Sequence, residues 1–122
     1  MAQYEEFTID QGTDVAIEIH CIDENGNTKN LSNHTVTAQL KKSYSADTST
    51  SFNSVVADPP ENGIAVLSLT NVQTEALSKG RYVYDVELSF VDSDANQIIE
   101  RILEGRIQVT PSVTGFGGGG GS

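Results

Sequence analysis

The chain has 122 residues, enough for one domain whose core needs neither disulfides nor metal. Seventeen acids stand against seven bases, a formal charge of −10, which disfavours a nucleic-acid partner because phosphates need Lys and Arg. The single cysteine, Cys21, cannot form an internal disulfide.

No apolar run approaches the roughly 18 residues of a membrane span, so no membrane insertion is expected. The N-terminus has no basic-then-apolar signal pattern, which predicts synthesis in the cytoplasm without export. Residues 1–24 carry seven acids and no Lys or Arg. Solvated strand faces and turns account for such a bias; a docking face for a basic partner is the alternative.

Residues 4–9 read as a first short strand, and Gln11-Gly12 as a turn. Val15, Ile17, Ile19 and Cys21 then alternate with Glu18 and His20, as a half-buried strand does, and make Cys21 a small buried hydrophobe. Asp23-Glu24-Asn25-Gly26-Asn27 follows, and Asn-Gly predicts a type I′ hairpin turn. Val36, Ala38 and Leu40 face inward along the next strand, residues 35–42. Residues 43–51 are a polar loop. Residues 52–57 form a short strand, stopped by Asp58-Pro59-Pro60, since proline donates no ladder hydrogen bond. Residues 64–69 are apolar at nearly every position. That predicts a strand covered on more than one side or covered by a partner.

Thr70-Asn71-Val72-Gln73 has the form of a capping box. It predicts a two-turn helix over residues 71–78 with Val72, Ala76 and Leu77 on one face, closed by Lys79-Gly80. Tyr82, Tyr84, Val86, Leu88 and Phe90 share one parity and form the apolar row of a central strand. Leu77, Gly80 and Tyr82 have the spacing of a tyrosine corner, where the chain turns into a sandwich strand. Residues 92–97 are a loop. The last strand, residues 97–109, changes parity along its length, which predicts a bulge or crossing at Gly105. Pro111 ends it. Residues 112–122 contain a pure glycine run and read as a flexible tail or an appended linker. The predicted architecture is all-β: an antiparallel immunoglobulin-like β-sandwich of seven to eight strands over residues 1–111, with one short helix.

None of the chemistry-bearing patterns completes a site. Asp92-x-Asp94-x-Asn96 opens like a calcium loop, yet Gln97 stands where glycine is needed and Leu103 where a bidentate glutamate is needed. His20 and His34 have no zinc spacing. There is no nucleophile elbow and no phosphate loop before a helix. Glu100 and Glu104 lie on a strand surface, which does not supply the cleft of a glycosidase pair. Tyr82 and Tyr84 are assigned to the core rather than to a carbohydrate platform. No catalytic, cofactor-binding or metal residue is assigned, no cofactor is expected, and an enzyme is not expected.

Several stretches resemble one family. They are Thr8-Ile9-Asp10-Gln11-Gly12-Thr13-Asp14, Ile22-Asp23-Glu24-Asn25-Gly26, Lys29-Asn30-Leu31 and Leu67-Ser68-Leu69-Thr70. Later come Leu77-x-x-Gly80-x-Tyr82-x-Tyr84-Asp85-Val86-Glu87 and Leu103-Glu104-Gly105-x-Ile107-x-Val109-x-Pro111. Over roughly residues 5–111 the chain is similar to the small immunoglobulin-like virion modules of tailed bacteriophages. It resembles the N-terminal module of baseplate upper proteins and short structural proteins of marine cyanophages. The resemblance implies a non-enzymatic building block of a virion, a capsid decoration or a baseplate or collar adaptor, with other virion proteins and copies of itself as partners. Tyr4, Phe7, Pro111, Val113 and Phe116 are then expected on arms that contact neighbours. The chain ends just after the sandwich, with no receptor-binding domain expected. A carbohydrate- or host-surface-binding module is the alternative.

Overall fold

The computed structural model describes residues 3–112. Residues 113–122 of the tail, with Val113 and Phe116, lie outside the described residues.

The eight strands are β1 (Gln3–Asp10), β2 (Val15–His20), β3 (Thr35–Lys41), β4 (Thr50–Ser51), β5 (Asn53–Val56), β6 (Ile64–Leu69), β7 (Gly80–Val91) and β8 (Gln97–Thr110). They form a five-stranded sheet in the order β1-β8-β7-β3-β4 and a three-stranded sheet in the order β2-β6-β5. The two sheets face each other as an immunoglobulin-like sandwich. β7 is the middle strand of the larger sheet, and its row Tyr82, Tyr84, Val86 and Leu88 is buried. Val36, Ala38 and Leu40 join it from β3, Leu103, Ile107 and Val109 from β8, and Ala65, Leu67 and Leu69 from the facing sheet. Period-two alternation produces this core, because each strand turns one parity of side chains inward.

Five details differ from the sequence expectation. β1 pairs with β8 in parallel, from Gln3 opposite Leu103 to Asp10 opposite Thr110; every other pairing is antiparallel. The hairpin at Asn25-Gly26 is not type I′. Gly26 has a φ of 82°, but Asn25 is not among the residues with positive φ. The Gly26 amide donates to the Asp23 carbonyl, and the Asp23 amide to the Asn27 carbonyl. Asp23 Oδ1 accepts from the amides of Asn25 and Asn27. That carboxylate selects a three-residue loop with glycine in the left-handed position.

The third difference is the bulge in β8. The register slips between Val86 and Glu87, whose partners are Leu103 and Arg101, so the extra residue is Ile102 and not Gly105. The fourth concerns residues 43–57. The strand expected over residues 52–57 is shorter, β5, and the end of the expected loop pairs as β4; Phe52, buried, lies between β4 of one sheet and β5 of the other, so the chain changes sheets there.

The fifth is the helix. α1 covers only Asn71–Glu75. Its capping box is complete: Gln73 N–H donates to Thr70 Oγ1 at 3.2 Å, and Thr70 N–H to Gln73 Oε1 at 2.8 Å. Its inward residue is Thr74, while Val72 is exposed. Hydrogen bonds rather than an apolar stripe orient this short turn. Thr74 Oγ1 donates to the Thr13 carbonyl at 2.7 Å and accepts from the Gly12 amide at 3.0 Å. Asp14 Oδ1 accepts from the Asn71 amide at 2.7 Å.

Candidate functional site

The corner forms at the start of β7. Leu77 is buried, and Gln11 Nε2 donates to its carbonyl at 2.7 Å. Gly80 takes a φ of 127°, a region that side-chain-bearing residues rarely adopt. The Tyr82 hydroxyl donates to the Ser78 carbonyl at 2.9 Å, and Lys42 Nζ sits 4.6 Å from the centre of the Tyr82 ring. These contacts close the corner and leave Leu77, Gly80 and Tyr82 as framework.

In antibody domains the residue two beyond the corner tyrosine is a cysteine of the inter-sheet disulfide. Here it is Tyr84. Its hydroxyl donates to the Glu5 carbonyl of β1 at 3.0 Å, and its ring packs 5.6 Å from that of Phe7. Burial first, and then the Glu5 and Tyr4 charges, push the Tyr84 phenol well above its ordinary value.

Tyr4 and Phe7 therefore lie in a strand of the domain's own sheet, not on a detached arm. Phe7 is half-buried. Tyr4 is 58% exposed, and its hydroxyl donates to Glu6 Oε2 at 2.8 Å. That hydrogen bond is the main reason its phenol is raised, and Tyr44 adds a smaller push from the loop after β3. Pro111 is exposed at the end of β8. The structure thus brings Tyr4 and Phe7 together with Tyr84, and leaves Pro111 at the far end of β1 and β8.

A groove opens where β1 starts. Residues 97–101 of β8 pair with β7 on one side, Ile102 is the bulge residue, and no described strand covers their other side. In the facing sheet β2 pairs only with β6. A groove of about 810 Å³ separates these two edges. One wall is residues 18–24 and the other residues 100–103, with Gln3 and Glu5 at the end. Cys21 and Leu103 are buried in its floor. Burial pushes the Cys21 thiol up, and Lys29 offsets part of that.

The walls are acidic. Glu5, Glu18, Asp23, Glu24 and Glu100 oppose two permanent cations, Lys29 and Arg101, a net of three negative charges (5 − 2). Lys29 reaches Glu100 at 3.8 Å, while Arg101 is turned to Asp85 at 3.3 Å and Glu104 at 3.7 Å. Among the described residues Glu18 meets His20 alone, at 3.2 Å. Among the described residues no three His, Cys, Asp or Glu gather as a metal site, and no helix is long and apolar enough to cross a membrane. The Asp92 carboxylate serves its own loop, accepting from the amides of Asp94 and Asn96. What the groove offers is backbone edges and negative charge. The sequence signalled the charge, through the acids of residues 1–24. It carried no signal for the edges, because sheet order decides them.

No family profile and no curated protein sequence matches the chain. Solved structures do. The fold is similar to that of murine CRIg, with a TM-score of 0.52 at 16% identity over 87% of this chain and 92% of that one. The likeness shows an immunoglobulin-like fold and nothing finer. AggA, the major subunit of aggregative adherence fimbriae type I of Escherichia coli, matches with a TM-score of 0.40 at 12% identity, over 86% of this chain and 89% of that one. An internalin-like protein of Listeria monocytogenes matches at 0.37 and 20% identity, over 88% of this chain but only 27% of that one.

Proposed function

We propose that the chain is a non-enzymatic structural module of a tailed-phage virion, a capsid decoration or a baseplate or collar adaptor. It works by protein–protein contacts in a multi-copy assembly, with shell, baseplate or collar proteins and copies of itself as partners. It is made in the host cytoplasm and resides in the particle. One observation carries the reading: the stretches by which the sequence resembles phage modules include the residues that join β7, β8 and β1, namely Tyr82, Tyr84, Leu103, Gly105 and Ile107. A rigid sandwich with uncovered strand edges suits such contacts, since main-chain hydrogen bonds supply affinity at an edge. The test is to count copies per purified virion by quantitative mass spectrometry, scaled to the shell protein. Abundance near that of the shell supports decoration, a few copies support a baseplate or collar place, and absence removes the reading.

A second reading, a carbohydrate- or host-surface-binding module, is favoured by Tyr4 and Tyr44. They are 58% and 70% exposed. Specific binding on a glycan array, lost in Tyr44→Ala, would establish it.

A further inference from the structure

We infer that the groove is a strand-addition site, in which an extended lysine- or arginine-rich segment of a partner protein pairs with the uncovered edge of β2 over residues 16–22. The inference rests on the assembly reading above and names the chemistry of the partner.

The backbone geometry specifies which groups do the pairing. The Cys21 amide donates to the Gly63 carbonyl at 2.8 Å, and the Lys29 amide to the Cys21 carbonyl at 3.0 Å. Cys21 therefore turns its amide and carbonyl toward β6 and the hairpin. In an antiparallel ladder alternate residues face alternate edges. Val15, Ile17 and Ile19 follow Cys21, so Ala16, Glu18, His20 and Ile22 turn their amides and carbonyls to the uncovered edge. The same logic applies across the groove. The Asp92 amide donates to the Asn96 carbonyl at 2.9 Å, which sets Ile98 and Glu100 toward β7. Gln97, Ile99 and Arg101 then face the gap. Among the described residues two sheets thus end side by side with unpaired edges, and β1 pairs with β8 from Gln3 opposite Leu103 to Asp10 opposite Thr110.

Charge selects the occupant. The walls carry a net of three negative charges, and Glu5 and Glu24 make no ion pair among the described residues. An acidic or neutral strand would leave them uncompensated, whereas a basic one pairs them and gains in encounter rate. The floor of Ile19, Cys21, Ile102 and Leu103 accepts the alternate apolar side chains of such a strand.

The probe is an alternating lysine–valine heptapeptide, with a glutamate–valine heptapeptide as control, titrated into the 15N-labelled protein at low salt. Expected are shifts confined to residues 16–24 and 97–103, and slowed hydrogen exchange at the amides of Ala16, Glu18, His20 and Ile22 only. Ile17 and Ile19, already bonded to β6, do not change. Glu24→Lys weakens binding at least three-fold with an unchanged spectrum elsewhere. Glu18→Pro blocks the edge without touching the β6 ladder, because the Glu18 amide points away from it. No shifts, shifts on another face, or equal binding of the glutamate–valine peptide overturn the inference. If the protein is abundant in virions yet ignores the lysine–valine peptide, this inference fails alone. If it binds the peptide at β2 but is absent from virions, the virion reading fails and the site stands.

Discussion

The Tyr84 hydroxyl on β7 donates to the Glu5 carbonyl on β1 at 3.0 Å, reaching across β8. It passes over Gly105, the direct partner of both Tyr84 and Glu5. A β-carbon at Gly105 would overlap the Glu5 carbonyl. The bare glycine is therefore what lets a tyrosine fasten β1 to the sheet, at a place where antibody domains carry a disulfide cysteine.

Gly105→Ala should detach the first half of β1. The overlap is with backbone, so no side chain can move aside to relieve it. The expected loss is about 3 kcal/mol by urea denaturation. Hydrogen exchange should accelerate at residues 3–7 before the core is affected.

The Tyr84 phenol is raised in the folded state, so its contribution is fully present below the unfolded value near 10. Above that pH the unfolded tyrosine ionises while the folded one stays neutral, and stability falls by up to about 1.4 kcal/mol per pH unit. Urea midpoints from pH 8 to 11 should fall more steeply in the parent than in Tyr84→Phe. At pH 7 Tyr84→Phe should cost about 1–2 kcal/mol for the lost hydrogen bond.

Ala95 has a φ of 65°, a left-handed conformation at a residue that carries a β-carbon. Its loop repeats the bonding of the Asp23 loop, where glycine holds the equivalent place. Ala95→Gly should therefore stabilise the protein by about 1 kcal/mol, read as a rise in Tm.

Thr74 is fully buried, and its hydroxyl joins α1 to the turn between β1 and β2. Thr74→Val keeps the shape but leaves the Gly12 amide and the Thr13 carbonyl unpaired. The expected loss is about 3 kcal/mol in chemical denaturation.

Much of the fold was legible because alternation and turn chemistry are local. The rows of β3 and β7, the capping box at Thr70 and the corner at Tyr82 all follow from spacing. Reading failed where a competing group intervened. Asn25-Gly26 suggested type I′, but the Asp23 carboxylate bonds two amides and imposes another loop. Gly105 looked like a bulge because parity changes nearby. The bulge is at Ile102, and the glycine is there for the approach of Glu5. Of the residues expected on arms, Tyr4 and Phe7 occupy β1, Pro111 follows β8, and Val113 and Phe116 lie beyond the described residues. The groove was visible only as an acidic bias.

The sequence alone determined which parity of side chains points inward along β3 and β7, where the chain turns and how strongly negative it is. These depend on side-chain parity, on residues suited to particular φ angles, and on composition. Only the tertiary structure decided the order of strands, the parallel seating of β1 on β8 and the switch of sheets at Phe52. It also decided that β2 and the first half of β8 end with uncovered edges on either side of one groove. Strand order is a matter of pairing between distant segments, and a strand's own alternation is the same whichever neighbour it takes.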